Sequence, residues 1–441
     1  MKKNVPFIKN KIIRCLIPVV LLLLLLYFIV IYSSTMASRI AQIGSLLFAV
    51  YLIIRGLREP FIFNPYFLFA VCPLTLALYF PVISEYYLLE LSDTTYVYAL
   101  VNMICFYIGL EIIRNKKIRM EHGVLGGENH WPNECEEKTV RNWAIVFSVV
   151  GMIPAVYALL VGHISEWNRM KDLASSFPIY AVLAYFPYIG IYLAMQTKKK
   201  VCIIICLVLG GVATLVSLTK TMVLCYLMAI LAAYEKKHSS VRIKRLILLG
   251  IISLFVFSYL DGVYNQMRGA TKFEELWLSR SSSLLSVSQL KTYLYFETPW
   301  ANLEYVLGTV KEHTYGLWSV KPILTLFRIE GLFTESYSMM ESYTTFNAMG
   351  YLAYLYNDFG VIGSCVAVMP IGMFVSYVYE RGKRNLNPFW GVIVLFTLRA
   401  VLMMFFNLHF STEIYILTTL IIMCIVNYFS NKGKKLKRYW E

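Results

Sequence analysis

Long apolar runs separated by short polar gaps occupy the chain almost from end to end. They fall at 12–32, 40–54, 63–83, 96–113, 143–161, 179–196, 201–218, 219–234, 246–260, 361–379, 389–406 and 414–429. Many approach the roughly 20 residues with which an α-helix crosses the hydrocarbon of a bilayer. They are continuous instead of alternating with period two, which excludes a transmembrane β-barrel. The pattern predicts an all-α polytopic membrane protein of about twelve crossings, with 1–441 forming a single integral membrane domain. The seventh and eighth runs meet in a tight hairpin at Ser217–Thr221, where a re-entrant pair would leave the remaining topology unchanged. The first run follows a basic start, as a secretory signal would, but exceeds a signal core in length. It is read as a retained helix, with Ala37 marking where a cleavage would fall. No internal repeat stands out, so a repeat-built transporter gains no support.

One interval is different. Residues 261–350 mix Asp261, Glu274, Glu275, Glu297, Glu304, Glu312, Glu330, Glu335 and Glu341 with Arg268, Lys272, Arg280, Lys291, Lys311, Lys321 and Arg328. The interval is also rich in aromatic residues, and apolar positions recur at helical spacing through Phe273–Leu294 and Trp300–Val310. This predicts one large loop between the ninth and tenth spans, carrying short amphipathic helices that lie over the membrane surface. Functional groups tend to sit on such connections.

Composition agrees with the pattern. The chain is 58% hydrophobic and 15% charged, which leaves too little polar surface for a soluble protein of 441 residues. Its net charge of +15 would suggest nucleic acid in a soluble protein. Here the cations bunch in alternate gaps. The bunches are Lys2 to Arg14, Arg55 with Arg58, Arg114 to Arg141, Lys198 to Lys200, Lys236 to Arg245, Arg381 to Arg384, and Lys432 to Arg438. The short gaps between them hold only Arg39, Arg169, Lys171 and Lys220. That is the imprint of the positive-inside rule, with both termini cytoplasmic and 261–350 outside. The basic helix ends are expected to face anionic headgroups, and nucleic acid is not an expected partner. Eight of the nine cysteines lie within apolar runs and Cys135 in a cytoplasmic gap, so no disulfide framework is expected.

Charged or titratable residues near the apolar runs are the candidates for chemistry. Arg399, deep in the eleventh span, is either an anion site or half of an internal pair with Glu111 or Asp358. Lys220, at the hairpin tip, either meets a lipid phosphate or snorkels to the interface. Arg268, Arg280 and Arg328 bring guanidinium forks that hold phosphate oxygens in pairs. Candidate bases are Glu297, Asp358, His313, His409 and Glu413. Asp358 has a competing role as N-cap of the tenth span. Phosphate-binding glycine loops, HExxH and DxD are missing, so any glycosyl transfer here would be metal-independent, with no cofactor.

Three segments carry a family resemblance. Tyr343-Thr-Thr-Phe-Asn-Ala-Met-Gly-Tyr-Leu-Ala-Tyr-Leu-Tyr-Asn-Asp-Phe-Gly-Val-Ile-Gly363 resembles the "DFG-x-x-G" entry to a late span in the Wzy-type oligosaccharide repeat-unit polymerases. These enzymes build O-antigen, capsule and enterobacterial common antigen. Phe296-Glu-Thr-Pro-Trp-Ala-Asn-Leu303 is similar to a loop segment of the common-antigen branch. Leu218-Thr-Lys-Thr221 looks like the family's "G-[ST]-R" turn, with Lys220 where arginine is usual and no preceding glycine. Span number, orientation and loop position match as well. The resemblance implies a GT-C-like glycosyltransferase of the bacterial cytoplasmic membrane. It would use undecaprenyl-diphosphate-linked oligosaccharide as donor and acceptor, alongside a repeat-unit flippase and a chain-length regulator. It further implies that Lys220, Arg268, Arg280, Arg328 and Arg399 bind the lipid diphosphate. Arg268, Glu297, Asp358 or His313 would serve in catalysis. An O-antigen ligase-like transferase and a lipid-linked oligosaccharide flippase are the competing readings.

Overall fold

The computed structural model describes residues 35–61, 63–81, 88–120, 134–161, 178–217, 220–238, 287–326, 348–384 and 387–408, with scattered positions from 410 to 425. All the regular structure there is helical. In chain order the helices are α1 (Met36–Leu57), α2 (Pro65–Phe69), α3 (Val71–Ala77), α4 (Asp93–Met120), α5 (Glu134–Val150), α6 (Ile153–Val161) and α7 (Pro178–Leu183). Then follow α8 (Phe186–Met195), α9 (Lys200–Ser217), α10 (Lys220–His238), α11 (Val287–Thr309), α12 (Leu317–Leu326), α13 (Gly350–Arg384) and α14 (Pro388–Leu402). A 3-10 turn, Met403–Phe405, ends α14.

Among the described residues, six helical stretches are long and apolar enough to cross a membrane: Met36–Leu57, Asp93–Arg114, Glu137–Leu160, Lys200–Ser217, Gly350–Lys383 and Pro388–Phe405. Two further apolar helices, Pro65–Ala77 and Phe186–Met195, are shorter. The chain is thus a helical membrane protein. The predicted spans at 12–32 and 246–260 lie outside the described residues, as does most of 414–429.

Three of the predicted runs are interrupted, each for the same reason. A proline ring clashes with the carbonyl four residues earlier and supplies no N–H to it. Accordingly α2 ends at Phe69, four before Pro73; α5 ends at Val150, four before Pro154; and α7 ends at Leu183, four before Pro187. Pro299 in α11 and Pro370 in α13 are accommodated without ending their helices.

The central contact is the pairing of α4 with α13. Gly109 and Gly372 face each other there, with the Gly109 Cβ direction 3.2 Å from the Gly372 Cα. A side chain on Gly109 would run into the Met369 carbonyl oxygen, and one on Gly372 into that of Phe106. Small residues let two backbones approach in a bilayer, where packing replaces hydrophobic exclusion as the source of association. Polar contacts continue the seam: Tyr98 Oη donates to the Leu352 carbonyl at 3.1 Å and lies 3.0 Å from Ser364 Oγ.

The two ends of the bundle differ in charge. At one end Arg55, Arg114 and Lys383, from three separate basic gaps, all reach the Glu59 carboxylate at 3.2, 3.0 and 3.1 Å. Lys236 Nζ donates to the Gly382 carbonyl at 2.8 Å, and Lys237 Nζ to those of Met195 and Thr197. Lys198 N donates to Glu137 Oε1 at 2.8 Å. These contacts gather five of the basic gaps on one side, as their alternation along the chain predicts. Headgroups are not the only partners of these cations, however. Arg55, Arg114 and Lys383 are neutralised within the protein by Glu59, Glu111 and Glu380.

The opposite end holds α11 and α12, from the interval 261–350. The sequence pattern predicts surface helices here, and the first part of that prediction, 273–286, lies outside the described residues. The observed α11 is instead one 23-residue helix sunk into the bundle, with Leu290, Leu294, Trp300, Ala301, Leu303 and Val306 all buried. Trp300 Nε1 donates to Thr75 Oγ1 at 3.2 Å, and Tyr293 Oη bridges the backbone around Leu78 and Phe80.

Replacing Gly109 or Gly372 by valine should cost on the order of 1–3 kcal/mol through overpacking of the α4–α13 crossing. The measurement is the melting temperature of the purified protein in detergent. An unchanged melt for both variants would show that this crossing is not close-packed.

Candidate functional site

Pro388 at the first helical position and Asn387, whose side chain accepts from Phe389 N at 3.0 Å, start α14 firmly. From there the helix is buried nearly all round, and it carries Arg399 into the interior at 3% exposure. Arg399 Nη2 donates to Tyr185 Oη at 3.1 Å, and the guanidinium carbon sits 4.7 Å from the centre of the Tyr185 ring. Tyr185 caps the start of α8 and packs edge-on against Tyr188 and Phe396. The Cys225 side chain of α10 lies beside the guanidinium. Arg399 Nε and Nη1 are buried without a hydrogen-bond partner.

No carboxylate pairs with this cation among the described residues. The two acids that sequence reasoning offered as partners are engaged elsewhere. Glu111 pairs with Arg55 at 3.3 Å and with Arg114 at 3.8 Å. Asp358 lies on another helix and is saturated, as follows. Arg399 is therefore a buried positive charge with donors to spare, the local arrangement an anion would complete. Lys220 opens α10, and its backbone stands five residues, or about 7.5 Å of helix rise, from Cys225. The positive end of α10 thus approaches the same junction.

Asp358 is fully buried within α13. The sequence reading made it the N-cap of the span at 361–379, and a helical stretch does begin just past Gly360, where the backbone leaves helical geometry (φ 66°, ψ −169°) and divides α13 in two. Asp358 caps a different helix. Its Oδ1 accepts from Thr314 Oγ1 at 2.6 Å and Trp318 N at 2.9 Å. Its Oδ2 accepts from Ser319 N at 2.8 Å and Ser319 Oγ at 2.6 Å. The carboxylate therefore holds the N-terminus of α12 from across the fold, which leaves it little capacity as a base.

His313 sits in the turn between α11 and α12, half-buried against Gly360 and edge-on to Tyr356, with Nδ1 lacking a partner. Asp358 and His313 thus share one neighbourhood, where α12 meets α13. Glu297 does not join them. It lies on α11, 2% exposed, close to Tyr79, Tyr96 and Tyr293, and Oε2 has no hydrogen-bond partner. Burial raises its carboxyl well above the ordinary value of 4.5. Arg268, Arg280, Arg328, His409 and Glu413 lie outside the described residues.

Sequence reasoning missed Tyr185 and Cys225, because nothing in the chain signals that residues 185, 225 and 399 meet. It also missed Glu59, whose hub role depends on Arg114 and Lys383, both distant in sequence, as well as on neighbouring Arg55.

No family model matches the chain, and neither a curated protein nor a solved structure matches it.

Two outcomes are expected. Because burial raises the Glu297 carboxyl, the folded protein takes up a proton that the unfolded chain releases near pH 4.5. The stability this group contributes is complete below that pH and declines as pH rises toward the folded-state value. Glu297→Gln, neutral throughout, should flatten that decline in melting temperature against pH; parallel curves for both proteins would refute it. Asp358→Ala should weaken α12 docking by roughly 1–3 kcal/mol, so that limited proteolysis cuts within 311–326 faster than in wild-type protein; equal cutting rates would refute it.

Proposed function

We propose that this chain is a membrane-embedded polymerase of lipid-linked oligosaccharide repeat units. It would have about twelve crossings in a GT-C-like arrangement, with both termini cytoplasmic, in the bacterial cytoplasmic membrane. Donor and acceptor would both be undecaprenyl-diphosphate-linked oligosaccharides, joined on the outer side into a surface polysaccharide. The observation that carries this reading is Arg399, a buried guanidinium with no carboxylate partner among the described residues and two nitrogens, Nε and Nη1, without a hydrogen-bond partner. Such a group suits a reaction whose leaving group is a diphosphate.

In the proposed step, the acceptor's sugar hydroxyl attacks the anomeric carbon of the donor glycan, and the bond to the lipid diphosphate breaks. The charge developing on the departing phosphate is met by Arg399 and the Lys220 end of α10, already oriented in a water-poor setting. Tyr185 fixes the guanidinium through its hydroxyl and ring, so that less reorganisation accompanies the charge movement. A base must take the hydroxyl proton. Asp358 is committed to α12 and Glu297 is sealed against Tyr79, Tyr96 and Tyr293, which favours His313 for that role. Arg268, Arg280 and Arg328 are retained as further diphosphate contacts on the strength of the family resemblance alone.

Deletion of the gene followed by glycan analysis tests the activity. Loss of polymer with single repeat units still displayed supports a polymerase; loss of all display points to a flippase, and unchanged polymer refutes the reading. Arg399→Ala should reach the membrane yet make no polymer, and Arg399→Lys should retain a fraction of it. Wild-type chain length in the alanine variant would dismiss the diphosphate assignment.

A further inference from the structure

The turn between α11 and α12 holds the one non-glycine residue with positive φ among the described residues. Tyr315 adopts φ 49°, in the left-handed region that a bulky side chain enters only at a cost. The residue is also 88% exposed, so packing of its ring does not hold it there. Hydrogen bonds to α13 do. Tyr315 N donates to the Asp358 carbonyl at 2.8 Å, and Thr314 N to that of Asn357 at 3.0 Å. Asn357 Nδ2 donates to Thr314 Oγ1 at 3.2 Å, and that hydroxyl donates to Asp358 Oδ1 at 2.6 Å.

Two glycines complete the fit. A Cβ on Gly316 (φ 95°) would stand 3.3 Å from the Phe359 ring, and one on Gly360 would come 2.7 Å from His313 Nε2. Each residue of Asn357-Asp358-Phe359-Gly360 thus meets one of His313-Thr314-Tyr315-Gly316. The clamp that seats His313, the base of the proposed step, also presents Tyr315 two residues along, beyond the exposed Lys311 and Glu312. Strain at an exposed side chain brings the fold no packing in return, and such strain gathers where a ligand is held. A simple interfacial anchor would be served by any unstrained tyrosine.

We propose that Tyr315 is a stacking platform for the acceptor glycan: its ring covers the C–H face of the terminal sugar and so holds that sugar's hydroxyl toward His313. The assignment rests on the polymerase reading, which supplies the acceptor and the role of His313. A sugar ring offers an apolar face edged by hydroxyls, and a flat aromatic at the wet end of the bundle matches it. Tyrosine brings this contact area with few torsions to freeze, and the clamped backbone leaves still less freedom to lose on binding. Tyr315 takes no proton. Its contribution is orientation of the attacking sugar.

The probe is the lipid-linked repeat unit extracted from cells lacking the gene, supplied to full-length protein in proteoliposomes. Tyr315→Ala should raise the half-saturating concentration about tenfold, the loss of one stacking contact, and reach the wild-type rate at saturation. Tyr315→Phe should stay close to wild type, because stacking uses the ring and not the hydroxyl. Tyr315→Gly should share the alanine defect yet melt no lower than wild type, since glycine enters φ 49° without strain. A lower maximal rate at unchanged half-saturation, or a lower melt for Tyr315→Gly, overturns the platform in favour of a structural turn. A reduced yield of membrane-inserted Tyr315→Ala overturns it in favour of an anchor. Wild-type kinetics in Tyr315→Ala beside an inactive Arg399→Ala sinks the platform alone. Binding is also read without turnover, by saturation-transfer NMR of the oligosaccharide freed from that lipid by mild acid. Transfer to sugar C–H protons should appear with wild type and vanish with Tyr315→Ala, and equal transfer overturns the platform. Transfer that depends on Tyr315, with no polymer formed, refutes the polymerase reading and keeps the platform.

Discussion

The charged end of the bundle hangs on one carboxylate. Glu59 is 1% exposed at its side chain and receives Arg55, Arg114 and Lys383 from the ends of α1, α4 and α13. Those helices come from separate parts of the chain, and two of them, α4 and α13, form the central crossing. Removing the carboxylate would leave three partly buried cations with Glu111 and Glu380 as their remaining acidic partners, whereas deleting any one cation leaves two in place. A hub of this kind favours one alignment of helix ends, because every alternative register would strand buried charge. Tyr66 adds a neutral shelf, with Arg55 4.7 Å and Arg114 5.8 Å from its ring centre.

At the opposite end carboxylates again do the holding, with the donors of helix N-termini in place of cations. Glu304, on α11, accepts from Ser92 N, Ser92 Oγ and Thr95 Oγ1 at the start of α4. Asp358, on α13, does likewise for α12. Each acid satisfies donors that a helix N-terminus leaves open and lies where the helix dipole favours negative charge. The effect is to pin two helices of the interval 261–350 onto the membrane helices α4 and α13. Asn302 Nδ2, donating to the Ala348 carbonyl at 2.7 Å, and Gly350 N, donating to the Phe406 carbonyl at 3.1 Å, close the circuit. An interval that reads as a loop by hydropathy is therefore packed core in this part.

This explains what was legible in the sequence. Hydropathy reports the solvent a helix faces, so α1, α4, α9 and the alternation of basic gaps were readable from residue types alone. The breaks after Phe69, Val150 and Leu183 were also present in the sequence, as prolines four residues on, but an apolar run masks them when only hydropathy is weighed. The burial of α11 was not readable. Its interior carries Glu297, Thr298 and Asn302 among apolar residues, a composition that imitates an amphipathic surface helix. Asp358 misled in a more instructive way. Aspartate before an apolar run is a good N-cap signal, and the residue does cap a helix, though one that only tertiary structure brings near.

Arg399 poses the sharpest energetic question. Withdrawing a guanidinium from water costs several kcal/mol even after relaxation. The Tyr185 ring returns about 2 kcal/mol as a desolvated cation–π contact, and its hydroxyl about 1.5–3 kcal/mol as a hydrogen bond to a charged donor. These two terms come near to offsetting the cost and leave Nε and Nη1 unanswered. A leucine at 399 would fill the same space without that cost. A charge already desolvated and fixed by Tyr185 would gain most from a counter-charge that entered its low-dielectric surroundings, which is the physical ground for the proposed anion site.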